Sequence, residues 1–183
     1  MEKQGHALGW GLRALLGAGI LYFALNGKWE MVGILLMSLG ASGIAYYVCK
    51  HFLGNTGQWM DALFSLLLVF NNLLGLGFDF YHTIPGWDIT THYTTSVFLA
   101  VSALVLMQKA YPQLLKEAPP LLIVVGMILF SLGLGAVWEL GEFSSDFLRG
   151  TDFQGGLTNT MQDFLVDMIA GLVVSIAWIK RPK

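Results

Sequence analysis

Long apolar runs separated by short polar breaks set the pattern of this chain. Stretches with almost no charge recur at about 10–26, 29–49, 59–82, 90–110, 120–142 and 160–179. Each approaches or exceeds the ~20 apolar residues that carry an α-helix across a bilayer core. Gly and Pro punctuate them at "NGK", "GNTG", "IPG", "APP" and "GG". The runs are continuous, unlike the alternating strands of ~10 residues that build an outer-membrane barrel. The pattern predicts an all-α bundle of six transmembrane helices, a single integral membrane domain over residues 1–183.

Composition agrees. The chain is 55% hydrophobic and 12% charged, against roughly 25% charged residues in a soluble domain. So few charges cannot cover a water-facing surface. Trp10, Trp29, Trp59, Trp87, Trp138 and Trp178 all fall near a predicted helix end, where indole rings favour the membrane interface. The start of the chain lacks a small-residue cleavage site, so its apolar stretch reads as a retained first helix. Lys3, Arg13, Lys50, Lys109, Lys116, Lys180, Arg181 and Lys183 gather on one side of the predicted topology, and only Lys28 and Arg149 on the other. Positive residues collect on the cytoplasmic side, which predicts that both termini are cytoplasmic. No basic stripe points to nucleic acid. Cys49 is the only cysteine; it excludes an intrachain disulfide and reads as an inert structural residue.

The acids are distributed unlike the bases. "FDFYHTIPGWDITTHYTTS" (78–96), "WELGEFSSD" (138–146) and "MQDFLVD" (161–167) all lie toward the predicted outer face. Asp79 and His82 are three apart, Asp88 and His92 four apart, spacings that share a helix face. In the fifth span Ser131, Gly135, Glu139, Glu142 and Asp146 trace one stripe, small within the membrane and acidic at the mouth. Small residues let helices approach closely in lipid. In the sixth, Asp163, Asp167 and Gly171 share a face. Asp79, Asp88, Glu139, Glu142, Asp146, Asp163 and Asp167 thus fall at similar depth, with Arg149 as the nearest fixed cation. An acid inside a span costs about 2.5–3.5 kcal/mol on insertion scales. Such a group must hold protons at raised pKa or a cation. Imidazole with carboxylate suits zinc, with iron or manganese as alternatives. A calcium site built from oxygen alone would not need the histidines.

Plainer roles compete for the same residues. Asp88 reads equally as an N-cap, and Thr160 with Asp163 as a capping box. Asp146 and Asp152 read as solvated loop acids pairing with Arg149. His82 and His92 also fit simple interhelical hydrogen bonds. Asn71 and Asn72 fit interhelical contacts, Asp61 a cap or snorkelling group, and His6 and His51 the opposite surface. Glu139, Glu142 and Asp167 resist such readings because of their face and depth.

The three motifs together, "FDFYHTIPGWDITTHYTTS", "GAVWELGEFSSD" and "GTDFQGGLTNTMQDFLVDMIAGL", resemble the YjdF-like family of bacterial inner-membrane proteins. The resemblance covers roughly 75–175, in order. It implies a six-helix, multi-pass protein of the bacterial inner (plasma) membrane and supplies no reaction. It falls on Asp79, His82, Asp88, His92, Glu139, Glu142, Asp163 and Asp167.

Three function classes follow. The first is a metal-dependent hydrolase acting on a lipid or small amphiphile. Asp79, His82, Asp88, His92, Asp163 and Asp167 would supply its divalent-ion ligands, and Glu139 or Glu142 its general base. The second is a proton- or cation-coupled transporter; apolar inner halves such as "VSALVLM" and "LLIVVGMILF" offer it no onward polar path. The third is a non-catalytic membrane sensor or partner-binding protein. HExxH, GxSxG and P-loop signatures are absent.

Overall fold

The structure, a computed structural model, describes residues 2–181 and is helical, with no strand among them. The helices are α1 (Glu2–Leu25), α2 (Trp29–Val48), α3 (Asn55–Leu68), α4 (Phe80–Thr83), α5 (Trp87–Ala110), α6 (Pro112–Glu117), α7 (Pro120–Arg149) and α8 (Leu157–Lys180). Two π-helical segments, Cys49–Leu53 and Val69–Gly77, extend α2 and α3. Six of these helical stretches are long and apolar enough to cross a membrane. Their exposed positions carry Leu21, Ile44, Leu121, Leu129, Val137 and Leu165. An apolar outside is what a lipid-facing helix requires, since lipid solvates no polar side chain.

The contacts divide the chain into two compact units, Met1–Thr91 and His92–Lys183. In the first, α1, α2 and α3 close around Leu12, Leu16, Phe23, Leu35, Val69 and Leu73. Its interior also holds a buried ion pair, Arg13 with Asp61. The same guanidinium donates to the Ser42 carbonyl at 2.8 Å, and the Ser42 and Ser65 hydroxyls pair at 2.8 Å. Asp61 is therefore an interior partner, not the cap or snorkelling group expected from its place near a helix end. Burying a carboxylate is tolerable only beside a matched cation, and Arg13 on the packed helix α1 supplies it.

The third span differs from the expected 59–82. It ends at Gly77, and Asp79 takes a left-handed conformation at φ 61° before the four-residue α4. The cause is local: Tyr81 folds back against Gly75, where a Cβ would lie 2.4 Å from the ring. The Tyr81 hydroxyl then bonds Asn71 Oδ1 at 2.9 Å. Asn72 makes the expected interhelical bond, to Ser38 Oγ at 2.7 Å.

In the second unit, α5, α6, α7 and α8 share a core of Ala100, Leu104, Leu115, Met127 and Val174. Helix α7 has 30 residues, longer than the expected 120–142. At ~1.5 Å per residue it measures about 45 Å, well beyond a hydrocarbon core of about 30 Å. Gly150 closes it in a left-handed conformation, its amide donating to the Asp146 carbonyl at 2.9 Å. The Asp146 carboxylate fastens the following connection by accepting from Thr151 Oγ1 (2.6 Å), Phe153 N (2.8 Å) and Gln154 N (2.9 Å). That is a structural task, distinct from the solvated role expected of it.

Candidate metal centre

Each long helix of the second unit buries a stripe that is polar at one end and apolar at the other. On α5 the buried positions include His92, Ser96, Ala100 and Leu104, four apart. On α7 they run Glu139, Gly135, Ser131, Met127, again four apart. On α8 they run Thr160, Asp163, Asp167, Ala170, Gly171, Val174 and Ser175. Spacings of three and four put these residues on one face. The polar ends of the three stripes meet.

His92 is the hub. Its Nε2 lies 3.9 Å from Glu139 Oε1 and its Nδ1 3.7 Å from Asp167 Oδ1. Each acid also receives one neutral donor. Thr160 Oγ1 donates to Glu139 Oε2 at 2.7 Å, Ser96 Oγ to Asp167 Oδ1 at 2.5 Å, and Asn159 Nδ2 to Asp163 Oδ2 at 2.5 Å. Thr160 thus serves Glu139 rather than a capping box, and α8 begins earlier, at Leu157 behind Gly156. Asp88 sits in the first turn of α5, inside the helix, so it is not the N-cap.

Glu139, Asp163 and Asp167 are 3%, 0% and 0% exposed, and His92 is 9% exposed. No Lys or Arg is buried among the described residues of this unit. Three carboxylates around one imidazole therefore carry at least two uncompensated negative charges if all are ionised. Desolvation makes that arrangement costly, by several kcal/mol per ion in a protein interior. Protons or a cation must offset it. Glu139 Oε1 and Asp167 Oδ2 are buried and accept no hydrogen bond.

Asp88, one turn before His92 on the same continuous helix, completes a set able to hold a metal. Asp88, His92 and Asp163 each offer a ligand atom, all within 4.8 Å of one another. Zinc bonded at ~2.0–2.1 Å in a tetrahedron sets its ligand atoms about 3.4 Å apart. The three atoms would need to close by no more than about 1.4 Å to reach that geometry.

The other expected site residues are placed differently. Asp79 and His82 pair with each other at 2.5 Å, with side chains 62% and 77% exposed. They belong to the first unit and not to the buried group. Glu142 stands one turn beyond Glu139, partly exposed, and accepts the Trp138 indole N–H at 2.8 Å. Ser96 and Asn159, which bond Asp167 and Asp163, lie outside the residues expected from the sequence. Of the two, Ser96 has a usable signal, its four-residue step from His92.

Among curated proteins and solved structures, none matches the chain. A family model described as "Predicted membrane protein (DUF2238)" matches residues 8–183. The match takes in all six membrane-length helices in whole or large part, together with every residue of the buried His/carboxylate group, and the chain belongs to this DUF2238 family of predicted membrane proteins.

Proposed function

We propose that His92 and Asp163, with Asp88 one turn before His92 on α5, hold a divalent transition-metal ion, and that the protein hydrolyses a lipid or small amphiphile at the outer face of a bacterial inner membrane. Zinc suits the mixed imidazole–carboxylate set, with iron or manganese as alternatives. The observation that carries the reading is Glu139 Oε1. It is buried, accepts no hydrogen bond and lies 3.9 Å from a nitrogen of the one interior imidazole. A carboxylate oxygen so placed has a lone pair free for a proton.

A divalent ion in this set would bring the pKa of a bound water down toward neutrality. Glu139 Oε1 would take that water's proton as the oxygen attacks an acyl or phosphoryl centre. The same carboxyl would return the proton to the departing alkoxide or amine, which balances the hydrolysis. Thr160, bonded to Glu139 Oε2, holds the carboxylate plane during both transfers. Glu142 already receives Trp138 and stands partly exposed, which leaves Glu139 as the base.

A carrier would need polar groups beyond this level. Beyond the buried Ser131 the stripes instead continue as Ala100, Leu104, Met127 and Val174. Ser175 is buried there, but its hydroxyl is bonded to the Leu172 carbonyl at 2.8 Å.

Elemental analysis of detergent-purified protein tests the reading, with turnover of fluorogenic acyl and phosphoryl amphiphiles beside it. Wild type should hold about one zinc, iron or manganese per chain, and His92→Ala should lose it. Glu139→Gln should keep the metal and lose about 10²–10⁴-fold in turnover. Wild type free of all three metals after reloading would sink the proposal. Metal retained with no turnover would favour a cation sensor.

A further inference from the structure

We infer that Asp167 is a positioning residue for His92 and not a ligand of the ion. It would accept the Nδ1 proton of His92, so that Nε2 faces the metal and Glu139. This inference rests on the metal reading above.

Four observations support it. The two imidazole nitrogens face different acids, Nδ1 toward Asp167 at 3.7 Å and Nε2 toward Glu139 at 3.9 Å. Asp167 is not among the residues whose ligand atoms come within range of one another, which are Asp88, His92 and Asp163. It lies one helical turn deeper on α8 than Asp163, about 6 Å along the axis, and is fully buried. Finally, its carboxylate is held in place from two sides. Ser96 donates to Oδ1 at 2.5 Å, and Oδ2 rests where a Cβ on Gly135 would lie, 1.8 Å away. A group pinned in this way cannot swing up to join the ion; the imidazole, 3.7 Å away, closes on it by about 0.7 Å to make the bond.

The chemistry of imidazole explains why such a group belongs there. A neutral ring presents one donor nitrogen and one acceptor nitrogen. A metal needs the acceptor, so the other nitrogen must carry the proton. A carboxylate facing that proton selects the tautomer, locks the ring orientation and raises ligand basicity. Loss of such a partner typically weakens metal affinity by about 10–100-fold. Ser96 acts one step further out, by orienting Asp167.

The test is a Co(II) titration, followed by visible absorbance, of full-length wild type, Asp167→Asn, Asp163→Asn and Ser96→Ala. ¹⁵N NMR of the zinc-loaded histidines accompanies it. Asp167→Asn should weaken Co(II) binding by about 10–100-fold yet keep one ion per chain and the wild-type ligand-field bands. Asp163→Asn should shift or abolish those bands. Wild-type His92 should show a protonated Nδ1 and a metal-bound Nε2, and Asp167→Asn should lose that strongly hydrogen-bonded Nδ1–H signal. If Asp167→Asn alters the bands as Asp163→Asn does, Asp167 is a ligand and the inference is overturned. Affinity within twofold of wild type overturns it as well. Ser96→Ala leaves every carboxylate in place and covers the case in which Asp167→Asn fails to fold. It should weaken binding a few-fold, and no change would again count against the inference. Wild type that binds no Co(II) or zinc defeats the metal reading itself, a different result from a tight-binding wild type with an indifferent Asp167→Asn.

Discussion

Arg13 and Asp61 carry opposite charges inside the first unit, at 7% and 2% exposure. The pair is a commitment: either charge alone would be stranded among apolar side chains. Removing one partner of a buried pair costs about 3–5 kcal/mol, whereas replacing both with apolar groups of similar size is often neutral or stabilising. Asp61→Ala and Arg13→Ala should therefore each be severely destabilised in mixed-micelle unfolding. Arg13→Met with Asp61→Leu should lie well above the sum of the two losses. One complication is the Ser42 carbonyl, which loses its Arg13 donor in the double variant, so recovery should be partial. Strict additivity would show that the two charges do not depend on each other. Gly135 makes the equivalent point in the second unit. A methyl there would overlap Asp167 Oδ2, while a methyl on Gly133 of the same helix meets nothing within 4 Å. Gly135→Ala should thus break the Ser96–Asp167 bond and cost about 2–4 kcal/mol, combining overpacking with a lost charge-assisted hydrogen bond. Gly133→Ala should stay within about 0.5 kcal/mol of wild type.

At the scale of elements, α7 and α8 approach so closely that backbone meets backbone. A Cβ on Gly171 would lie 2.5 Å from the Met127 carbonyl oxygen. A flexible side chain could yield, but a helical carbonyl cannot, so Gly171→Ala must push the helices apart. The expected loss is about 1–3 kcal/mol, read by the same unfolding measurement. Gly126→Ala, on open surface of α7, should be close to neutral. This packing was readable in advance because it follows helical spacing: Ser131, Gly135 and Glu139 on one side, Asp163, Asp167 and Gly171 on the other. The same logic located His92, Glu139, Asp163 and Asp167. It failed where the backbone leaves the α-helix. The π-helical Val69–Gly77 shifts the face of every later residue, so Asp79 and His82 meet as their spacing of three predicts, but on an exposed face rather than the interior one that a regular helix to His82 implies. No apolar period announces a π segment. Arg13 and Asp61 were missed for a related reason. They lie 48 residues apart, and spacing within a helix says nothing about which helices become neighbours.

At the scale of the whole molecule, orientation in the membrane follows from the fixed charges. The structure changes one part of that count. Arg13 is buried and neutralised by Asp61, so it does not act as a free cytoplasmic charge. Seven Lys and Arg residues remain on the predicted inner side: Lys3, Lys50, Lys109, Lys116, Lys180, Arg181 and Lys183. Lys28 and Arg149 stand on the other. The asymmetry survives the correction, and it is the Lys/Arg bias of short connections that sets topology. Single cysteines in a Cys49→Ser background would report it directly, because Cys49 is the only native thiol. Asn26→Cys and Asp152→Cys lie on exposed connections and should react with a membrane-impermeant maleimide in intact cells. Gln113→Cys, on the exposed face of α6, should react only after permeabilisation. The opposite pattern would put the termini outside and turn the mouth marked by Asp88 toward the cytoplasm. The proposed hydrolase would then draw its lipid from the inner leaflet. The labelling result therefore decides which pool of amphiphiles Glu139 could reach.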